Sequence, residues 1–391
     1  MRIGVIIMAF AGLCAPALGA DQPRARDLGV PFDGTPGPLN AITDVAGVEV
    51  GHKTITRGDG KLKRGKGPVR TGVTAILPRG RTYDPVFAGW HALNGNGEMT
   101  GTTWITESGF LEGPIMLTNT HSVGVVHDAV IEWQVRHKFY EGLPGEPEVF
   151  WSLPIVAETW DGDLNDINGF HVTKKDAFDA LDAAKPGPVA EGNVGGGTGM
   201  ITHEFKGGVG TASRVLESET GGYTVGALVQ SNYGIRKTMR IAGAPVGAEI
   251  PDLLPGTAPQ AEERGSIIVV IATDAPLLPH QLRRLAQRAS LALGRMGSYA
   301  SNSSGDIFIA FSTANPKAAY RTKNQTVEFI PNDSMGPIFL AAVEATEEAI
   351  VNALVAAETM TGANGYTVHE LPHDRLQAAL KKYGRLVERT E

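Results

Sequence analysis

Residues 251–274 read PDLLPGTAPQAEERGSIIVVIATD, and the junction between Gly265 and Ser266 decides how the rest of the chain is interpreted. A polar segment rich in proline and charge ends in Gly265, and Ser266 begins a β-branched apolar run typical of a buried strand. Glycine can adopt the strained backbone geometry that is required when the next hydroxyl attacks its carbonyl. The junction therefore predicts self-cleavage, which would leave Ser266 with a free α-amine beside its hydroxyl, a nucleophile and a base in one residue. Taken alone, the stretch also fits a surface loop that leads into a core strand.

The composition is that of a globular protein and argues against nucleic acid as a partner. Of the 391 residues, 42% are hydrophobic and 20% are charged, which leaves ample material for a core. The formal net charge is −7 and no basic run occurs, whereas nucleic-acid-binding domains carry basic patches.

The first twenty residues have the features of a secretion signal. Arg2 precedes a short apolar run at 3–13, and small residues follow up to Ala20. No later segment approaches about 18 consecutive apolar residues, so we expect no membrane contact after signal removal. Removal would also take away Cys14, the single cysteine, so we expect the mature chain to have neither disulfides nor thiol chemistry. We expect a periplasmic or secreted protein whose mature part, residues 21–391, is a single domain.

Strand and helix patterns follow one another along the mature chain. Apolar runs bounded by glycine and proline predict strands at 48–55, 73–77, 85–88, 114–117, 153–156, 223–230, 267–272 and 306–312. Helical spacing of apolar residues predicts helices at 123–138, 174–184, 279–295, 336–359 and 374–383. Strands that precede and follow paired helices indicate a layered α/β architecture.

Three motifs suggest chemistry that their context argues against. Residues 369–373 match the letters of the zinc-protease motif HExxH, but Pro372 would break the helix that must align the two histidines, so we predict no metal there. Residues 192–199 lack the Gly-Lys-Ser/Thr ending of a phosphate loop and predict a turn near a substrate. His127 and Asp128 are a weak candidate for a base and its carboxylate, because adjacent helix residues point in different directions.

A better candidate is the stretch Ser303-Ser304-Gly305-Asp306. It places the Ser304 hydroxyl and the Asp306 carboxylate two residues apart where a loop enters a strand. Gly305 would allow both side chains to lean toward one site. An ordinary turn is the alternative interpretation.

Eight stretches spread over nearly the whole mature chain carry a resemblance to a known family. They are LNGNGEMTG (93–101), TNTHSVG (118–124), ETWDGDLNDINGFHV (158–172), GNVGGGTGM (192–200), GGVGTASRV (207–215), VGALVQSNYG (225–234), GSIIVVIATDAPLLPHQLRRLA (265–286) and SSGDIFIAFSTAN (303–315). In this order they resemble the L-aminopeptidase/D-amino-acid esterase-amidase family, which includes the β-peptidyl aminopeptidases.

The resemblance implies a fold and a maturation step. Members are made as inactive precursors that cut themselves before a serine, here into an α chain of residues 21–265 and a β chain of residues 266–391. The two chains stay together in a four-layer α/β/β/α sandwich, similar in layout to the N-terminal nucleophile hydrolases but differently connected. The resemblance also implies a homotetramer of αβ units.

The resemblance assigns the reacting groups. Ser266 matches the nucleophile that becomes the N-terminus of the β chain, with Gly265 before the cut. Ser304 and Asp306 match the hydroxyl and carboxylate that assist it. Neither a metal nor a cofactor is implied.

Three further positions match residues that contact the substrate. Asn232 matches an asparagine that stabilises the oxyanion, and Glu158 an acidic residue near the free amino group of the substrate. Trp160 departs from the family, in which we expect a tyrosine with its hydroxyl near the oxyanion. An indole has a single N–H donor and is bulkier, so the shape of the pocket at this position is expected to differ.

The sequence thus predicts an exported serine aminopeptidase that hydrolyses amide and ester bonds after the free N-terminal residue of small peptides or amino-acid amides. Two alternatives remain. One is an acyltransferase of similar self-cleaving layout, such as the ornithine acetyltransferases, which use threonine as the nucleophile. The other is a non-catalytic exported binding protein that kept the fold. The choice among L-, D- and β-amino acid N-termini stays open, because these differ by a chirality or a methylene.

Overall fold

The structure is a computed structural model that describes residues 23–141, 149–256 and 262–388. The predicted signal at 1–20, with Cys14, lies outside the described residues. The strands are β1 (Glu49–Arg57), β2 (Val69–Arg81), β3 (Val86–Gly95), β4 (Phe110–Leu111), β5 (Ile115–Asn119), β6 (Ile155–Thr159), β7 (Ile201–Thr202), β8 (Phe205–Lys206), β9 (Gly208–Val215), β10 (Thr224–Asn232), β11 (Gly265–Thr273), β12 (Ser304–Ser312), β13 (Met360–Thr361) and β14 (Thr367–Val368). The α-helices are α1 (Thr102–Ser108), α2 (Val123–His137), α3 (Lys174–Asp182), α4 (Val246–Glu249), α5 (Pro279–Ala286), α6 (Ala289–Arg295), α7 (Gly336–Val355) and α8 (His373–Lys382).

Two mixed sheets form the centre of the molecule. The smaller sheet has the order β1-β2-β5-β6, and its β5 and β6 run parallel. The larger sheet has the order β4-β3-β12-β11-β10-β9, and its central pair, β11 and β12, runs parallel. The hairpins β7-β8 and β13-β14 are separate two-stranded sheets.

Alternate residues of the central strands pack on opposite faces of the larger sheet, as the pleat of a strand requires. On β11, Ile268 and Val270 belong to the apolar core between the two sheets, whereas Ile267 and Val269 belong to the core beneath α5, α6 and α7. A third core lies between the smaller sheet and the helices α2 and α3. The layers are therefore α/β/β/α, and the predicted fold class is confirmed.

Several predicted elements needed correction, and glycine accounts for two of them. The strand predicted at 85–88 continues to Gly95 as β3, because the chain pairs with β12 and Gly89 lets α5 approach so closely that a Cβ there would collide with the Arg283 backbone. The strand β9 was not predicted, since its small residues form no apolar run. They are buried beneath α7, and a Cβ on Gly210 would strike the Ala349 carbonyl.

The helix predicted at 279–295 is two helices, because the chain breaks at residues 287–288 between α5 and α6. The long helix α7 ends at Val355 rather than at 359. Within the described ranges, no helix has both the length and the apolar character needed to cross a bilayer.

Candidate active site

Gly265 and Ser266 open the central strand β11, so the scissile bond predicted from the sequence lies in the sheet rather than in an exposed loop. Gly265 has a φ of 110°, a region that other residues rarely adopt. A Cβ at this position would also collide with the carbonyl of Asn232. The φ value and the collision each require glycine at position 265. The neighbouring Ser266 is buried.

The strand register brings three predicted site segments to one end of the larger sheet. Ser266 pairs with Asn232 on β10 and with Gly305 on β12. The Asn232 side chain is oriented by the backbone N–H of Ile201, which donates to its Oδ1 over 2.7 Å. This contact leaves the N–H₂ end of the amide as the group that can donate to an oxygen of a substrate.

Ser304 and Asp306 form the hydrogen-bonded pair that their spacing predicted. Both side chains are fully buried, and Ser304 Oγ donates to Asp306 Oδ1 over 2.6 Å. Burial raises the pKa of Asp306 from 3.8 to about 6, an effect that the Ser304 hydrogen bond opposes and the nearby Glu263 charge supports. Asp306 Oδ2 is buried without a hydrogen-bond partner among the described residues, which makes it an acceptor that a new donor could use.

This pair lies on a different face of the sheet from the Ser266 side chain. The core between the sheets holds Ile268, Val270, Ile307 and Ile309, and the core beneath the helices holds Ile267, Val269, Phe308 and Ala310. By alternation, Ser266 and Asn232 face the smaller sheet, whereas Ser304 and Asp306 face the helices. Ser304 and Asp306 therefore pair with Gly265 and Ile267, the two neighbours of Ser266 on β11, and the Asp306 carboxylate also interacts with the backbone N–H of Ile267.

Glu158 lies at the end of β6, across from the opening of β11. Its buried carboxylate accepts hydrogen bonds from the Glu98 backbone N–H, over 3.0 Å, and from the Thr120 hydroxyl. Burial raises its pKa, and these two hydrogen bonds oppose the rise. A Cβ on Gly97 would lie 3.3 Å from Gly305 Cα and 3.4 Å from Glu158 Oε1. Gly97 thus lies between the Glu158 carboxylate and Gly305, the residue that pairs with Ser266 on β12.

Trp160 lines a cavity of about 390 Å³ together with Asn232 and Gly265. The indole is 43% exposed, and its ring meets His121 edge to face, with the ring centroids 6.2 Å apart. Tyr366 lines the same cavity. The aromatic wall beside the scissile glycine is therefore built by Trp160 and Tyr366, the second of which sequence reasoning missed.

Two buried polar residues that support the site were also missed. Lys206 is fully buried, and its Nζ donates to the carbonyls of Met200, over 2.9 Å, and Gly207, over 2.8 Å, which holds the turn before Ile201. Gln230 links the two sheets, because its Nε2 donates to Thr118 O and Thr159 Oγ1 over 2.9 and 2.8 Å. Gln230 lies inside a stretch that carried the resemblance and Lys206 lies just before one, but no periodic pattern distinguishes a buried polar side chain from an exposed one.

Two of the three motifs set aside in the sequence, at 369–373 and at 127–128, lie away from this chemistry. Helix α8 begins at His373, so His369 and His373 do not share a helix, and His373 Nε2 contacts the carbonyl of Val355. Asp128 forms an exposed ion pair with Lys174. In the portion of the chain that the structure describes, no group of three or more His, Cys, Asp and Glu side chains is arranged to hold a metal ion.

The glycine-rich turn at 192–199 is buried at the interface of the two sheets, where a Cβ on Gly196 would collide with Gln230. Ile201, just beyond the turn, lines the cavity. The turn thus positions Ile201, whose backbone N–H orients the Asn232 amide.

Comparison with known proteins identifies close relatives over almost the whole chain. The model of peptidase family S58 matches residues 40–368. The beta-peptidyl aminopeptidase BapA of Sphingosinicella microcystinivorans is 59% identical over 387 residues, 96% of each chain.

Two solved structures share the fold. The L-aminopeptidase D-Ala-esterase/amidase of Ochrobactrum anthropi, described as a prototype for the serine aminopeptidases and a new variant among the Ntn hydrolase fold, is 51% identical with a TM-score of 0.85. The match covers 93% of this chain and 100% of that one. The beta-aminopeptidase of a Burkholderia species is 50% identical with a TM-score of 0.84, over 94% of this chain and 100% of its own.

Proposed function

Because the chain belongs to peptidase family S58 and is a serine aminopeptidase of the N-terminal nucleophile type, we propose that it cuts itself between Gly265 and Ser266 and then uses Ser266 on substrates. The observation that carries this proposal is the register of the larger sheet. It pairs Ser266 with Asn232 and Gly305, and it pairs Gly265 and Ile267, the neighbours of Ser266, with Ser304 and Asp306.

In the self-cleavage step, the Ser266 hydroxyl attacks the carbonyl carbon of Gly265. The bond from that carbon to the Ser266 nitrogen breaks, the nitrogen takes up the proton, and an ester joins the two residues. Water then hydrolyses the ester, which leaves a carboxylate on Gly265 and a free α-amine on Ser266. The φ of 110° at Gly265, together with the Asn232 carbonyl that a Cβ there would strike, explains why the residue before the cut is glycine.

In turnover, the α-amine of Ser266 acts as the base. An α-amino group titrates near pH 7.7–8.0 in reference peptides, so a fraction is neutral at working pH and can accept the hydroxyl proton. Asp306 Oδ2, which is buried without a partner among the described side chains, would accept a hydrogen bond from this amine and hold it. The Asn232 N–H₂ group would stabilise the tetrahedral oxyanion. The amide bond of the substrate then breaks, its amine leaves with the proton held by the α-amine, and the N-terminal residue remains as an ester on Ser266 Oγ. Water hydrolyses this ester, which releases the N-terminal residue with a free carboxylate and restores the Ser266 hydroxyl.

Glu158 would bind the ammonium group of the substrate, which explains a requirement for a free N-terminus. Its carboxylate is buried and held by two hydrogen bonds, so it is preorganised as a counter-charge.

The relatives named beta-peptidyl aminopeptidase support β-amino acid N-termini as substrates. A panel of p-nitroanilides of β-homoalanine, L-Ala and D-Ala tests this proposal, with N-acetylated β-homoalanine p-nitroanilide as the control. We expect turnover of the free β-amino compound and loss of turnover on acetylation. Equal hydrolysis of the acetylated compound would contradict the proposed role of the free amine, and turnover of L-Ala alone would contradict the β preference.

The proposal also includes esterase activity, export and assembly into a homotetramer of αβ units, all of which derive from family resemblance and the character of residues 1–20. Hydrolysis of an alanine methyl ester, fractionation of the producing cell and light scattering of the purified protein test these three points. Absence of ester hydrolysis, retention in the cytoplasm, or a mass other than four αβ units would contradict the respective point.

The variant Glu158→Gln is expected to lower kcat/KM for free-amine substrates by roughly 10- to 100-fold, the value of a hydrogen bond to a charged group. The loss is expected mainly in KM, because the ammonium is bound in the ground state as well. The exposed Glu107→Gln on α1 is the matched control. An unchanged KM in Glu158→Gln would place the ammonium elsewhere.

Asp306 is expected to destabilise the uncut chain at neutral pH. Its pKa is raised in the folded protein, so its contribution to stability is fully present below about pH 3.8 and is lost as the pH rises through about 6. The rise corresponds to about 3 kcal/mol at roughly 1.36 kcal/mol per pH unit. In a Ser266→Ala background, Asp306→Asn should therefore raise the free energy of unfolding at pH 8 by up to about 3 kcal/mol. Denaturant unfolding at pH 8 and pH 4 measures this effect, and an equal gain at both pH values would show that the charge is not its cause.

A further inference from the structure

The segment before the cut is held by a buried glutamate. Glu263 is fully buried, whereas its neighbours Glu262 and Arg264 are exposed. Its carboxylate accepts hydrogen bonds from the Ser298 hydroxyl and from the backbone N–H of Tyr299, the latter over 3.0 Å.

The backbone of Glu263 is held by the same stretch of chain. Its N–H donates to the Tyr299 hydroxyl over 3.0 Å, and its carbonyl accepts from the hydroxyls of Ser301, over 2.7 Å, and Ser303, over 3.3 Å. Every one of these partners lies in residues 298–303, which would belong to the other chain after the cut. We call residues 298–303 the anchor loop.

The anchor loop leads directly into the catalytic part of β12. The Ser304 N–H donates to the Ser301 carbonyl over 2.9 Å, and the loop is tied to β3 by the side chain of Asn94, which donates to the Ala300 carbonyl over 3.1 Å. One rigid element therefore fixes both Ser304 and Glu263, and Glu263 is only two residues from the carbonyl of Gly265 that is attacked.

We propose that Glu263 is a positioning residue for self-cleavage: through the anchor loop it holds the Gly265 carbonyl in reach of the Ser266 hydroxyl. This inference rests on the proposed cut at Gly265. Intramolecular attack is fast only when the reacting atoms are held about 3–3.5 Å apart, and a displacement of about 1 Å can cost about 100-fold in rate. A tail held only by the exposed Glu262 and Arg264 would not restrict Gly265 in this way.

Glu263 has a different part in turnover. The carboxylate is buried against the anchor loop, and its hydrogen bonds within the described chain go to Ser298 and Tyr299. Once the bond is cut, the Gly265 carbonyl is no longer a reacting group. Glu263 therefore acts chiefly on the conversion of precursor to cut protein, and it influences turnover only indirectly, through its charge near Asp306 and through the anchor loop that leads to Ser304.

The experiment follows the conversion of freshly purified precursor by intact mass over time, in wild type, Glu263→Gln and the matched exposed control Glu262→Gln. We expect conversion to slow at least about 10-fold in Glu263→Gln and to remain at the wild-type rate in Glu262→Gln. The burst of p-nitroaniline titrates the cut sites, and turnover per titrated site is expected to stay within about threefold of wild type. Equal conversion rates in the two variants would overturn the inference, and so would a turnover per site that falls in parallel with conversion.

Two partner variants test the inference if Glu263→Gln is insoluble. Tyr299→Phe and Ser301→Ala each remove one hydrogen bond to Glu263 and are expected to slow conversion, and unaltered rates in both would overturn the inference. A failure of the proposed function looks different: wild-type protein would then stay uncut, or its second chain would begin at a residue other than Ser266.

Discussion

Ser266→Ala is expected to yield a single uncut polypeptide without aminopeptidase activity. The substitution removes the only atom that the account uses both to attack Gly265 and to attack substrate. It also prevents the release of the α-amine that serves as the base. Loss of the nucleophile in a serine protease lowers kcat by about 10⁶-fold, and because a nucleophile and its base act as a unit, the missing base is expected to add little to this loss. A denaturing gel and a p-nitroanilide assay measure the two effects.

The control is Ser334→Ala, which removes an exposed hydroxyl in the same C-terminal part of the chain. It is expected to be cut and active like wild type. A Ser266→Ala protein that appears as two chains and hydrolyses amino-acid amides at the wild-type rate would show that another residue is the nucleophile.

Asn232→Ala is expected to lower kcat by about 10²- to 10³-fold, which corresponds to the loss of one oxyanion donor, about 2.7–4 kcal/mol. The amide is directed by the Ile201 N–H on its Oδ1, so the N–H₂ group is preorganised where negative charge develops. The measurement is kcat per titrated active site, so that a slower conversion of precursor does not enter the result. Asn324→Ala, an exposed asparagine, is the control.

Asn232→Asp separates the donor from the structural role of the side chain. It retains an oxygen that can accept from Ile201 but replaces the donor by a carboxylate, which would repel the oxyanion. We expect Asn232→Asp to fold and to be at least as impaired as Asn232→Ala. Recovery of activity in Asn232→Asp would show that the contact with Ile201, rather than the donor, is what matters.

The predictions from sequence were most accurate for segments whose local residue pattern matches the way the segment packs in the folded protein. The apolar run after Ser266 is a central strand, and each of its two alternating faces packs against a different layer, as a strand buried on both sides requires. The contact between Ser304 and Asp306 followed from a spacing of two on a strand. The strand β9 was missed for the opposite reason, because glycine and small residues there are selected by the close approach of α7 rather than by apolar character.

The sequence does not show on which face of the larger sheet each site side chain lies. Their spacing predicts that Ser304 and Asp306 lean toward one common site, but the face that each occupies relative to Ser266 depends on how two distant strands are aligned. The polar segment before Gly265 also appeared exposed throughout. Glu263 is buried there because its partners at 298–301 lie about 35 residues further along the chain, and no local pattern signals such a contact.

The most direct test of the account is the N-terminal sequence and mass of each polypeptide in the purified protein. Cleavage before Ser266 predicts two chains of roughly 27 and 14 kDa, at an average of about 110 Da per residue, and the smaller chain should begin Ser-Ile-Ile-Val, residues 266–269. An active preparation that consists of one uncut chain, or whose smaller chain begins at any other residue, would contradict it.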